Sequence, residues 1–64
     1  MENDVLTTRE AARYLSLGAS TLERFRISGG GPCYRKLGRA VRYHRSDLNE
    51  WLESRRTRST SQAA

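Results

Sequence analysis

Few of the residues that build catalytic or cross-linked proteins occur in this chain of 64 residues. A single cysteine, Cys33, excludes an internal disulfide, and together with the only histidine, His44, it cannot complete the four ligands of a structural zinc site. Apolar residues never run longer than two in succession, as at Ala11-Ala12, against the roughly 20 that span a bilayer. No basic region leads into an apolar stretch at the N-terminus, so no export signal is read there and a cytoplasmic location is expected. Aromatic residues are scarce, and a chain this short buries only about 60% of its unfolded surface. One small domain, held by packing alone and without an enclosed active site, cofactor or metal, is therefore expected. No internal repeat and no heptad seam is present.

What the chain does have is arginine. Eleven Arg and one Lys stand against seven carboxylates, a net charge of +5. The excess is unevenly placed, because residues 1–32 are neutral, while from Cys33 onward Arg35, Lys36, Arg39, Arg42, Arg45, Arg55, Arg56 and Arg58 oppose only Asp47, Glu50 and Glu53. Such an asymmetry points to a polyanionic partner.

Local patterns divide the chain into five pieces. Thr7-Thr8-Arg9-Glu10 has the spacing of a capping box, which predicts a helix from Thr8 to about Ser16 with Ala11, Ala12 and Leu15 on its buried stripe. Gly18 then serves as N-cap of a second helix from Ala19 to about Ser28, with Leu22 and Phe25 turned inward. At ~100° per residue, Ser20, Arg24 and Ile27 face the opposite way, with Glu23 at their edge. Gly29-Gly30-Gly31-Pro32 ends that helix. This glycine run lacks a following Lys-Ser/Thr and follows a helix, so a flexible loop is favoured over a phosphate cradle.

Two β-type runs follow, Cys33 to Leu37 and Ala40 to His44, and Gly38-Arg39 between them predicts a hairpin with Arg39 at its apex. A two-residue turn sets Lys36 opposite Val41, whereas a three-residue loop sets Leu37 opposite Val41, and the pattern leaves both open. Ser46 reads as the N-cap of a third helix running to about Arg56, with Leu48, Trp51 and Leu52 as its apolar face and Arg55 and Arg56 in its last turn. Residues 57–64 show no apolar periodicity and are expected to form a mobile tail.

Two short helices joined by a tight turn, small residues where they cross and a polar outward stripe on the second describe a helix-turn-helix. The major groove of B-DNA, roughly 12 Å wide, admits one helix and shows donor and acceptor patterns that Ser and Arg read. Arg24 is the candidate for a guanine edge or a phosphate, Ser20 lies near the helix N-terminus where phosphate is attracted, and Ile27 suits a thymine methyl. The crowded cations of the hairpin, Arg35, Lys36, Arg39 and Arg42, suit a wing, with Arg39 at the tip entering a minor groove and the others on phosphates. Arg26, nearer the core edge, is a secondary phosphate candidate that also suits pairing with Glu23 or covering apolar surface. Tyr14, Tyr43 and Trp51 are expected to fill the core, His44 to be a satisfied or solvent-facing imidazole, and Cys33 to be a small hydrophobe.

Taken in order, Leu6-Thr7-Thr8-Arg9-Glu10-Ala11-Ala12-Arg13-Tyr14-Leu15, Ser20-Thr21-Leu22-Glu23-Arg24, Leu37-Gly38-Arg39-Ala40-Val41-Arg42-Tyr43 and Ser46-Asp47-Leu48-Asn49-Glu50-Trp51-Leu52 resemble the excisionase-like winged-helix family of the MerR-like group. That family includes excisionases, also called recombination directionality factors, and AlpA-type transcriptional regulators. The resemblance spans residues 5–56. It implies a mainly α fold with a small β-hairpin, a winged helix-turn-helix of two short helices, a two-stranded wing and a C-terminal helix. It further implies that Ser20, Thr21 and Arg24 read the major groove and Arg39 the minor groove. Two positions depart from the family pattern: Gly18 replaces the usual Ser N-cap, and Glu23 stands where an aromatic or basic residue is common. Glu23 there orients Arg24 or Arg26, or accepts from a cytosine amine.

The functional expectation is a non-enzymatic, sequence-specific DNA-binding protein. As an excisionase it binds tandem sites cooperatively beside copies of itself and bends the duplex, so that a separately encoded tyrosine integrase performs excision. Two alternatives stand beside it: a small AlpA-type transcriptional regulator using the same surface, and a protein-interaction module whose basic hairpin docks an acidic protein.

Overall fold

A computed structural model describes residues 4–57. Its elements follow in the order β1 (Val5–Thr7), α1 (Thr8–Leu15), α2 (Ala19–Ser28), β2 (Arg35–Leu37), β3 (Ala40–His44) and α3 (Arg45–Ser54). The fold is mainly helical with a hairpin wing, as a winged helix-turn-helix requires. The expected tail lies outside the described residues apart from Thr57.

Both halves of the capping box form: the Thr7 amide donates to Glu10 Oε1 at 2.9 Å, and the Glu10 amide donates to Thr7 Oγ1 at 3.1 Å. Two of the donors that a helix start leaves without partners are thereby satisfied. α1 ends at Ser16, which takes the left-handed conformation and returns its amide to Ala12 and Arg13 carbonyls. Gly18 caps α2 from an extended backbone, and Gly29, at φ 85°, closes it in the left-handed geometry that glycine adopts without penalty.

The wing is larger than a hairpin. Residues 5–7, too short to show a period and merged in sequence with the capping box, form a third strand, so the antiparallel sheet has the order β1-β3-β2 with β3 in the centre. Val5, Leu6 and Thr7 pair with His44, Tyr43 and Arg42, while Arg35, Lys36 and Leu37 pair with Arg42, Val41 and Ala40. The two-residue turn is thus the one used. Gly38 alone in it has positive φ, at 66°, the sign pattern of a type II′ hairpin turn with glycine first. β2 is shorter than the expected Cys33 to Leu37 strand, beginning only at Arg35.

α3 also starts differently from expectation. Its N-cap is His44, not Ser46, and no side chain caps it. The cause is the added strand: the Arg45 amide donates to the Asp4 carbonyl at 2.8 Å, extending the β1–β3 ladder to the point where the helix begins. Ser46 is left inside the first turn, its hydroxyl 3.5 Å from His44 Nδ1. At the other end Arg55 is the C-cap, so neither Arg55 nor Arg56 sits in the last turn.

The core gathers Leu6 from β1, Ala11 and Ala12 from α1, Leu22 from α2, Tyr43 from β3 and Leu48 from α3, with Leu15, Ala19, Phe25 and Val41 packed around it. The alanines allow α1 and α2 to approach closely, as helix-turn-helix packing needs. Leu22 and Leu48 are wholly enclosed, and losing either side chain costs about 2–5 kcal/mol. Of the three aromatics expected inside, only Tyr43 is buried. Trp51 is half-buried, and Tyr14 lies at the surface, where its hydroxyl donates to Asn49 Oδ1 at 2.6 Å and Arg45 covers its ring. Leu52, placed on the apolar face of α3 by its spacing, is exposed.

Candidate nucleic-acid interface

The amphipathic phase of α2 decides which of its side chains are available. With Leu22 at 0% exposure setting the inward direction, Ser20, Glu23, Arg24 and Ile27 stand on the solvent side, and Thr21 is half-buried at the margin. Ile27 is 86% exposed, an aliphatic side chain that the core does not use. A shallow, mostly apolar groove runs along this part of the helix between Thr21, Arg24, Phe25, Ile27 and Ser28. Neither the Ser20 nor the Arg24 side chain has a hydrogen bond or ion pair among the described residues. The outward stripe read from helical spacing is therefore present and open.

The wing presents a second exposed surface. Arg39 occupies the hairpin turn beside Gly38, its side chain exposed and without a polar partner among the described residues, and the Lys36 side chain is likewise exposed and unpartnered there. The remaining expected phosphate ligands are engaged to different degrees. Arg35 forms an ion pair with Asp47 at 3.2 Å while its side chain stays 59% exposed, so that α3 steadies the wing without hiding the guanidinium. Arg42 is half-buried and donates to the neighbouring Val41 carbonyl at 2.8 Å.

Arg26 departs from expectation. Its phase turns it toward the sheet, and a single terminal nitrogen donates to Thr8 Oγ1 at 3.1 Å and to the Tyr43 hydroxyl at 3.0 Å. The guanidinium carbon lies 5.7 Å from the centre of the Tyr34 ring. A half-buried group held this way is tied into the scaffold, and it does not pair with Glu23.

The glycine loop also departs from the flexible reading. The Gly30 carbonyl accepts from Trp51 Nε1 at 3.1 Å and from the Arg55 guanidinium at 2.9 Å, and Arg55 also covers the Trp51 ring. Phe25 meets Trp51 edge to face, with ring centres 5.6 Å apart. Gly31 sits so close to Phe25 that a Cβ built there would lie 2.6 Å from the Phe25 Cβ. The loop is thus an anchor that fixes the C-terminal end of α2 on α3. Three glycines in a row concealed this, since the signal resides in Phe25, Trp51 and Arg55, far apart in sequence.

Among the described residues no group of three or more His, Cys, Asp or Glu side chains is placed to hold a metal ion, and no helix is long and apolar enough to cross a membrane. Cys33 is exposed, not enclosed as a small hydrophobe would be. The arrangement offers a helix face and a cationic wing tip, both open to solvent, on a scaffold braced by α3. A family model described as "Helix-turn-helix domain" matches residues 5–56. No curated protein matches the chain.

Proposed function

The chain belongs to the helix-turn-helix domain family, a DNA-binding class, and on that footing we propose that it is an excisionase, a recombination directionality factor. The observation that carries the reading is the pairing of an open stripe on α2, Ser20, Arg24 and Ile27, with an open arginine at the wing tip, Arg39. In the proposed complex α2 enters the major groove, where Ser20, Thr21, Glu23 and Arg24 meet base edges or the flanking phosphates and Ile27 meets a thymine methyl. Arg39 enters the adjacent minor groove, and Arg35, Lys36 and Arg42 lie along the backbone.

One module of this size buries only about 600–1,000 Å² of its own surface on DNA, a small interface of modest affinity at physiological salt. Copies therefore bind adjacent direct repeats side by side and bend the duplex between them. The bend brings the sites of a separately encoded tyrosine integrase into an excisive assembly; the protein itself breaks no bond. On this reading it works in the cytoplasm, on the nucleoid.

Footprinting across the element's attachment site tests the array: a ladder of adjoining protected repeats is the expected result, and one isolated, non-cooperative site refutes it. Deleting the gene while the integrase is still expressed tests the role. Loss of excision with promoter output unchanged supports an excisionase, whereas altered promoter output with normal excision assigns the same surface to transcriptional control.

A further inference from the structure

α2 and the wing share no extensive packing surface: α2 rests on α1, and the sheet rests on α1 and α3. Yet a helix and a wing that grip neighbouring grooves must be held at one separation and angle. The α2 side chain that hydrogen-bonds across to the sheet among the described residues is Arg26. Its terminal nitrogen spends one N–H on Thr8 Oγ1, at the first turn of α1, and the other on the hydroxyl of Tyr43, at the centre of the sheet. Its central carbon lies over the ring of Tyr34, on the approach to β2, and the Tyr34 and Tyr43 ring centres are themselves 6.0 Å apart. One guanidinium thus joins α2 to α1, to the central strand and to the root of the wing.

The fold does not depend on that group alone, since Leu22 seats α2 in the core and Phe25 fastens it to Trp51. The core that holds Leu22 also takes in Tyr43 of β3, while Phe25 reaches α3. Only the Arg26 cluster ties α2 by side-chain hydrogen bonds to the sheet among the described residues. Among the described residues the guanidinium has no carboxylate partner: its contacts are two neutral hydroxyls and a ring.

We propose that Arg26 is a positioning residue that locks the recognition helix to the wing, so that the duplex meets a preformed two-pronged surface. The inference rests on the DNA-binding reading. Without the lock, helix and wing sample several relative orientations, and affinity falls by the fraction of molecules that are correctly aligned. If that fraction drops to a tenth, apparent Kd rises about tenfold.

The test uses Arg26→Met, which keeps much of the aliphatic stem, and Tyr43→Phe, which removes one hydroxyl and preserves the core ring. Residual dipolar couplings of backbone amides in the free protein report the α2-to-sheet orientation without DNA. In the wild type, couplings from α2 and β3 are expected to fit one alignment tensor. In both variants the two sets are expected to need separate tensors. On the duplex, both variants are expected to bind about tenfold more weakly, losing the minor-groove protection of the wing and keeping that of α2. Should both variants keep a single tensor, or bind with wild-type affinity while merely melting at a lower temperature, the lock is refuted and Arg26 only stabilises. If Arg26→Met does not fold, Tyr43→Phe decides alone. Failure of the wild type to bind any duplex overturns the DNA-binding reading instead, and the couplings still judge the lock.

Discussion

Arg24 and Arg39 are both exposed and unpartnered among the described residues, but they are expected to act differently because they stand on different elements. If Arg24 reads a base edge, Arg24→Ala weakens specific binding by about 1–3 kcal/mol and relaxes preference at one position, as competition with substituted duplexes measures. An equal loss on every sequence reassigns Arg24 to a phosphate. Arg39→Ala is expected to weaken binding while leaving major-groove preference nearly intact. At Gly31 the prediction concerns packing: Gly31→Ala forces a methyl group against Phe25 and should cost about 1–3 kcal/mol in a denaturant melt. Gly30→Ala, with nothing nearer than 3.8 Å to the added Cβ, should cost less.

α1 and α2 owe their ends to short-range chemistry, and the strands owe their register to what lies opposite them. Thr7→Ala removes the side-chain half of the capping box and should lower stability by about 1 kcal/mol, with fraying confined to the first turn of α1 by amide exchange. The capping box, the Gly18 start and the Gly29 stop were legible because each is complete within a few consecutive residues. β1 was not legible. Its three residues carry no period, and what makes them a strand is an edge of β3 that is free to pair on both sides. That same pairing moved the N-cap of α3 from Ser46 to His44, since the ladder bond from Arg45 to Asp4 brings the helix on directly from β3.

For the molecule as a whole, the core is small enough that one side chain is a large share of it. Leu48→Ala should cost about 2–5 kcal/mol and leave the domain largely unfolded at room temperature. Charge acts at the same scale. With a net charge of +5, binding to duplex should weaken with salt at a log–log slope of about −0.9 per phosphate neutralised, and Lys36→Ala should make that slope shallower by about one unit. A slope near zero on duplex, with tight binding to an acidic protein, would make the basic hairpin a protein-docking surface.

The sequence by itself determined the three helices, the hairpin and the outward phase of α2. These follow from caps, breakers and periodicity, which act between residues a few positions apart. It also determined that the cations crowd into the second half, since charge is composition. Only the tertiary structure decided that Arg26 faces Tyr43, that Trp51 and Arg55 share the Gly30 carbonyl and that Tyr14 reaches Asn49. Each of these contacts joins residues 17 to 35 positions apart, a separation that no local propensity spans. Whether an arginine is free to meet a phosphate or is spent inside the scaffold depends on what the fold sets against it.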